Sequence, residues 1–286
     1  MSLLLLVILA GLVLFWAHKV ELHQFQINRH DVTLRKIIPG QPLKILHLSD
    51  VHFALPNVML SRFFTRLGEE EYDLAVLTGD IIDCEEGIHN AVENLKKIKT
   101  KHGFFAVFGN HDYYDYRFKD IFLHNFPGQS KPETLNPTDV LQAALEGIGV
   151  RVLLNRTEEI NAAGVQFLIH GLDDPTTGRA SIRETLASYD PAKINLLLTH
   201  TIDAFMDISH HEIDLSFSGH SHGGQIRFPV IGPVFTHTIL GRAYADGIVT
   251  LKGAVCSVSR GLGCGRFLPF RLLCPPEAVV LNVFGI

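Results

Sequence analysis

The chain has 286 residues, 47% of them hydrophobic and 19% charged, with a net charge of −5 when histidines are neutral. A soluble domain carries about 25% charged residues, so this chain has material for one large core, and its acidity argues against a general nucleic-acid-binding surface, which needs a basic face. The 16 histidines are the compositional anomaly, and imidazole is the commonest protein metal ligand.

Leu3–Ala17, "LLLLVILAGLVLFWA", is an uninterrupted apolar run. A membrane span takes about 20 residues. Leu14 and Phe15 stand where a signal peptidase needs small residues. The reading is therefore an uncleaved anchor over residues 1–22, with Trp16, Val20 and Leu22 at the interface, and a second unit over 23–286. Lys19, Arg29, Arg35 and Lys36 all follow the run, which predicts that this unit lies on the cytoplasmic side.

"ELHQFQINRHDVTL" alternates weakly and ends before Pro39-Gly40, as an edge strand does. Five buried-strand runs then end alike. "LKILHLSDVH" ends at Asp50 and His52, "DLAVLTGDIID" at Asp80 and Asp83, and "GFFAVFGNHD" at Asn110, His111 and Asp112. "INLLLTH" ends at His200 and "DLSFSGHSH" at His220 and His222. Helical patterns lie between them: "VMLSRFFTRLGEE", "GIHNAVENLKKIKTKHG" closed by lysines and Gly103, "PTDVLQAALEGIG" with a Thr cap, and "SIRETLASYDP" with a Ser cap. Lys96, Lys97, Lys99 and Lys101 are read as complementing a helix dipole. "GIVTLKGAVCSVS" and "EAVVLNVFGI" add strands without helices, so the class is α/β with a mixed sheet. The four cysteines show no CxxC or zinc spacing and read as unpaired thiols, with a Cys264–Cys274 pair as the alternative if that loop faces an oxidising space. His47 and His170 lie inside apolar runs and read as hydrogen-bonded core residues; His210-His211 reads as solvated loop.

In open α/β sheets, ligands bind at the carboxyl ends of the strands, so these five endings can converge. Aspartate, asparagine and histidine without cysteine suit Mn, Fe, Zn or Mg. Asp50/His52 and His220/His222 are spaced i,i+2, which in extended backbone puts both side chains on one face. Six or more candidate ligands exceed what one tetrahedral ion uses. Two ions about 3.5–4 Å apart, bridged by Asp80, use them all, and such a pair generates hydroxide and stabilises phosphoryl displacement. Gly79, Gly109, Gly219 and Gly223 let backbone come close to ions and phosphate.

The blocks Asp-x-His (50–52), Gly-Asp-x-x-Asp (79–83), Gly-Asn-His-Asp (109–112), His200 and Gly-His-x-His (219–222) resemble the calcineurin-like metallophosphoesterases in order and spacing. That resemblance implies a two-layer sandwich of mixed β-sheets flanked by helices. It also implies two divalent ions, one held by Asp50, His52, Asp80 and His222, the other by Asp80, Asn110, His200 and His220. His111 would be general acid or phosphate ligand, Asp112 would orient it, and Asp83 would stand behind the ligands. The N-terminal run, "GHSHGGQIRFP" and the tail "SRGLGCGRFLPFRLLCPPEAVVL" are similar to a membrane-anchored bacterial branch that includes a UDP-diacylglucosamine pyrophosphatase. No arginine follows Asp83, unlike the protein-phosphatase branch.

The resulting expectation is a hydrolase at the bacterial inner membrane that uses two divalent ions, manganese foremost, and a metal-bridging hydroxide. Its substrate would be a phosphodiester or pyrophosphate, lipid-linked like UDP-diacylglucosamine. The alternatives are a tethered nucleotide phosphodiesterase and a non-catalytic scaffold. The aromatic stretch 113–137 is either a lid or a satellite cluster. Arg260, Arg266, Arg271 and Phe267 either bind substrate or pack the tail.

Overall fold

Two six-stranded mixed sheets pack face to face in the computed structural model, which describes residues 3–36, 40, 42–117, 120, 132, 134–162, 164–208 and 213–285. In chain order, helix α1 (Leu3–Phe15) runs through a π-helical turn (Trp16–Val20) and a 3-10 turn (Glu21–His23) into strand β1 (Gln26–Leu34). Next come β2 (Leu43–Leu48), α2 (Val58–Leu67), β3 (Glu71–Thr78), α3 (Gly87–Leu95), β4 (Lys99–Val107), α4 (Asn110–Tyr113), α5 (Thr138–Glu146) and β5 (Val150–Val152). The second half holds β6 (Arg156–Ala162), β7 (Val165–Gly171), α6 (Ile182–Thr185), β8 (Ile194–Leu198), β9 (Leu215–Ser218), β10 (Arg227–Phe228), β11 (Gly232–Pro233), β12 (Gly247–Leu251), β13 (Ala254–Val258) and β14 (Glu277–Gly285).

The first sheet is ordered β1-β14-β2-β3-β4-β5 and the second β12-β13-β9-β8-β7-β6. Strands β2 to β5 are mutually parallel, as are β7, β8, β9 and β13; β2–β14, β6–β7 and β12–β13 are antiparallel. Ile45, Val76 and Phe105 of the first sheet meet Phe167, Leu196 and Phe217 of the second in the inner core. Leu60, Phe63, Phe64 and Leu67 form the buried stripe of α2, spaced for one helical face, and seal the outer side of the first sheet. Asn57 starts that helix by accepting from Met59 N and Leu60 N at 3.0 and 3.1 Å. β1 is an edge strand, as its weak alternation predicts. All four cysteines are free and buried.

Three local expectations are corrected. Helix α3 stops at Leu95, and Lys99–Gly103 belongs to β4, because pairing with β3 places Lys99 opposite Glu71. Lys101 lies in β4 and pairs with Asp73 at 2.9 Å, so it serves no helix dipole; Lys97, just past the end of α3, reaches the Ser61 carbonyl at 3.0 Å. Thr138 lies inside α5 and makes no cap; Pro137 precedes it. Ser181, by contrast, does accept from Glu184 N, at 3.4 Å.

Leu4–His23 is a helical stretch long and apolar enough to cross a membrane. Leu4 to Trp16 are exposed, whereas Ala17 and Glu21 are buried against the rest of the protein.

Candidate metal centre

The loops leaving the carboxyl ends of β2, β3, β4, β8 and β9 meet beneath one cavity of about 420 Å³. His52, Asp80, Asn110, His111, His220 and His222 line it. Asp50 and His200 lie under its floor, fully buried. The parallel strands of both sheets run the same way into this edge, which is why residues 170 positions apart, such as Asp50 and His220, come into hydrogen-bond contact.

Ligand atoms of Asp50, His52, Asp80 and His222 all fall within 4.8 Å of one another, and so do those of Asp80, His200 and His220. Asp80 belongs to both groups. His222 Nε2 stands 3.6 Å from Asp50 Oδ1 and 3.3 Å from His52 Nε2. His200 Nε2 stands 3.4 Å from Asp80 Oδ2 and 3.0 Å from His220 Nδ1. Asn110 spends its amide nitrogen on the Tyr116 hydroxyl at 3.0 Å, which leaves its buried Oδ1 without a partner among the described residues.

These residues fit divalent ions. His52 Nδ1 is 2.6 Å from Asp83 Oδ1, and His200 Nδ1 is 2.8 Å from the Thr78 carbonyl. Both oxygens only accept, so each imidazole carries its proton on Nδ1 and turns the Nε2 lone pair inward. Inward lone pairs then face other ring nitrogens, carboxylate oxygens and the orphaned Asn110 oxygen, an arrangement that a cation between them relieves. The carboxylates make the site attract positive charge: burial opposes charge on His52, yet Asp83, Asp80 and Asp50 outweigh it and push the imidazole up to about 9, so that a metal ion would have to displace a proton from Nε2. Burial likewise opposes ionisation of Asp80, but His200 and His111 hold its carboxyl well below the usual range. Burial, with His200 and His52 as respective neighbours, keeps His220 and His222 low and therefore neutral, as ligands must be.

Extended backbone is not what aims the paired ligands. Asp50, His52, Asp80, His220 and His222 all have positive φ, between 47° and 65°. The strands end before them (β2 at Leu48, β9 at Ser218), and left-handed kinks turn the side chains inward. Such conformations are costly for residues with a Cβ and gather at functional sites. His220 and His222 fall in different groups, whereas Asp50 and His52 share one. Glycines allow the loops to interlock: a Cβ on Gly219 would lie 2.0 Å from Asp50 Oδ2, and one on Gly79 (φ 84°) would lie 2.6 Å from His200 Nδ1.

Asp112 does not orient His111. It is fully buried, and its oxygens accept from Ile81 N at 2.8 Å, Ile82 N at 3.1 Å and Gly109 N at 2.8 Å, tying the 79–83 loop to the 109–112 loop. The carboxylate beside that imidazole is Asp83. Its Oδ1 is 2.8 Å from His111 Nδ1, an ion-pair distance without hydrogen-bond alignment.

The tail divides. Phe267 and Arg266 line the cavity, with Arg266 bonded to Asp115 and, at 2.9 Å, to the Tyr116 carbonyl. Arg260 is instead paired with Asp246 at 2.7 Å. Arg271 is fully buried and donates to the carbonyls of Cys274, Arg260 and Gly263 at 3.1, 2.7 and 2.5 Å. Both brace the tail, and Arg271 has no exposed surface to offer a ligand. Of the 113–137 stretch, Tyr114, Tyr116, Asp120 and Pro132 reach the cavity rim; residues 118–119, 121–131 and 133 lie outside the described residues, as do His210 and His211. His47 bonds to Ser257 and Thr78 at 3.0 and 2.9 Å, and His170 to Thr157 and Asn195 at 2.7 and 3.0 Å.

Two parts of the wall escaped the sequence reading. Thr176 and Thr177 follow β7, whose run "VQFLIHGLDDPTT" ends as the other five do and offered the same signal. His237 arrives from an irregular segment with no motif around it; its ring centroid is 5.8 Å from that of His220.

The family profile of the calcineurin-like phosphoesterases matches residues 43–224. YkuE, a metallophosphoesterase of Bacillus subtilis, is 30% identical over 277 residues, covering 94% of this chain and 88% of its own. The phosphodiesterase YaeI of Escherichia coli is 25% identical over 272 residues, with coverage of 94% and 92%. The UDP-2,3-diacylglucosamine pyrophosphatase LpxG of Chlamydia muridarum is 26% identical over 311 residues, with coverage of 93% and 92%.

Proposed function

The chain belongs to the calcineurin-like phosphoesterases and is a metal-dependent phosphoester hydrolase, and from that premise we propose that it cleaves a phosphodiester or pyrophosphate bond of a lipid-linked substrate resembling UDP-diacylglucosamine. Residues 1–22 would anchor it in a bacterial inner membrane, with the unit over 23–286 on the cytoplasmic face. One observation carries the lipid assignment. The end of the apolar helix packs on the same tail that walls the cavity: His18 Nδ1 lies 2.8 Å from the Pro269 carbonyl and Arg271 N donates to the Ala17 carbonyl at 3.1 Å, while Phe267 and Leu268 line the site.

Asp50, His52, Asp80 and His222 would hold one divalent ion, and Asp80, Asn110, His200 and His220 a second. When bound, two such ions acidify water and neutralise phosphoryl oxygens; manganese is the ion we favour among those this donor set accepts. The chain supplies the rest. As a water oxygen bonds to phosphorus, the opposite P–O bond breaks and its oxygen takes a proton. His111 is our candidate for delivering that proton or for steadying the phosphoryl group. Asp83 against Nδ1 leaves Nε2 for this purpose. Arg266 and Phe267 would receive the non-reacting part of the substrate.

The test is UMP release from UDP-diacylglucosamine in detergent with Mn²⁺, using the full chain, His220→Ala as control and an aryl phosphodiester alongside. Fast, His220-dependent release supports the reading. Turnover of the aryl diester without UMP release rejects the lipid substrate and favours a tethered nucleotide phosphodiesterase. Inactivity on both, with metal bound, would point to the scaffold.

A further inference from the structure

The hairpin formed by β10 and β11 exposes apolar side chains that no core uses. Phe228 and Ile231 are exposed, and Val230 at its tip is 107% exposed, so it touches nothing. Val230 also has φ 69°. A β-branched residue in left-handed backbone is strained, and hairpin tips of this kind ordinarily carry glycine or asparagine. The turn therefore holds a strained valine in open solvent, where a polar residue would sit more easily.

The hairpin is laced to the place where the apolar helix ends. Arg227 N donates to the Leu272 carbonyl at 2.8 Å, and Leu272 N to the Gln225 carbonyl at 3.0 Å. The preceding residue, Arg271, donates from its backbone nitrogen to the Ala17 carbonyl. Trp16 is 47% exposed and Ala17 4% exposed. One helical residue rises about 1.5 Å, so the surface that receives the helix begins almost at the level where its apolar exposed part stops. Leu268 and Leu273, on either side of Arg271 in sequence, are exposed as well. Two cations flank this surface: Lys19 is exposed at the helix end, and Arg242 is exposed and bonded to the Ile231 carbonyl at 3.2 Å. Apolar tips flanked by such cations match acyl chains beneath lipid phosphates.

We propose that the hairpin Arg227–Pro233 is a second membrane-contacting element, inserting Phe228, Val230 and Ile231 into the bilayer interface beside the N-terminal helix and holding the mouth of the cavity there. This rests on the helix being a membrane anchor. It adds a lipid-binding surface inside the catalytic unit itself, one wall of which, Leu268, is also a wall of the cavity.

The test uses the full chain in phosphatidylethanolamine/phosphatidylglycerol vesicles containing lipids brominated on their acyl chains, which quench nearby tryptophan. Trp16 is the sole native tryptophan and reports on the anchor. Val230→Trp in a Trp16→Phe background reports on the hairpin, with Phe228→Trp as a second probe. Lys99→Trp, at the opposite end of β4, is the control. Loss of emission at positions 230 and 228, without loss at 99, is the expected result. Quenching of Trp16 alone overturns the hairpin proposal and spares the anchor. Quenching of none overturns both. Probes at 228 and 230 shielded from lipid bromine and from aqueous acrylamide alike would mean contact with a second copy of the chain, which also overturns it. No activity is read, so this result is separable from the substrate assignment.

Discussion

Asp83 Oδ1 and His52 Nδ1 lie 2.6 Å apart, and this one bond decides which nitrogen of His52 faces the metal centre. Asp83→Ala is expected to weaken divalent-ion affinity by about 10–100-fold, the usual cost of losing a carboxylate behind a ligating histidine. Asp83→Asn keeps an acceptor oxygen and should recover part of it. Competition against a chromophoric chelator measures this, and unchanged affinity in the alanine variant would refute the role.

Asp80 is shared by both ligand groups and also accepts from His111 N at 2.8 Å. Asp80→Asn preserves that backbone bond, so the fold should persist while turnover falls by roughly a thousandfold or more. Metal analysis of the purified variant should give fewer than two ions per chain. Wild-type turnover, or collapse of the fold, contradicts this.

Asp112 satisfies three backbone N–H groups that otherwise have no water to turn to. Asp112→Ala should lower stability by about 3 kcal/mol, since each buried donor left unpaired costs about 1–3 kcal/mol before the loops relax. Urea unfolding of the metal-free protein reads the loss directly. If only activity fell, with the unfolding midpoint unmoved, Asp112 would have a chemical role that its bonding does not suggest.

Burial depresses the His47 imidazole from 6.5 to about 3. The unfolded chain takes up this proton near 6.5 and the folded chain does not. The stability tied to neutral His47 is therefore complete above about pH 6.5 and drains away as pH falls toward 3. His47→Gln removes the titration while retaining a donor and an acceptor. Within that window its stability should depend on pH less steeply than the wild type, by up to about 1.4 kcal/mol per pH unit. Parallel slopes from urea unfolding at pH 4 to 7 would show that His47 is not the group responsible.

Much of the centre was legible because it depends on local chemistry. An apolar run covered on both faces reads as a buried strand wherever it occurs, and Asp50, Asp80, Asn110, His200 and His220 each stand just past the end of one. Parallel strands sharing one edge then bring the endings together without further information. The same rule, applied once more, would have found Thr176 and Thr177.

What only the tertiary structure decided are the pairings between distant segments. Lys99 reads as helix until Glu71 appears opposite it. Asp112 adjoins His111 in sequence, yet Asp83 reaches that imidazole, because Asp112 is consumed by backbone donors of another loop. Arg271 looks like a phosphate ligand until four carbonyls are found around its guanidinium in a site closed to solvent. Residue type and spacing determine which groups this chain can bring to a site, since those are properties of a short stretch. Which partner each group meets depends on the arrival of other strands and loops, because a hydrogen bond forms only within about 3 Å, and sequence separation says little about that distance.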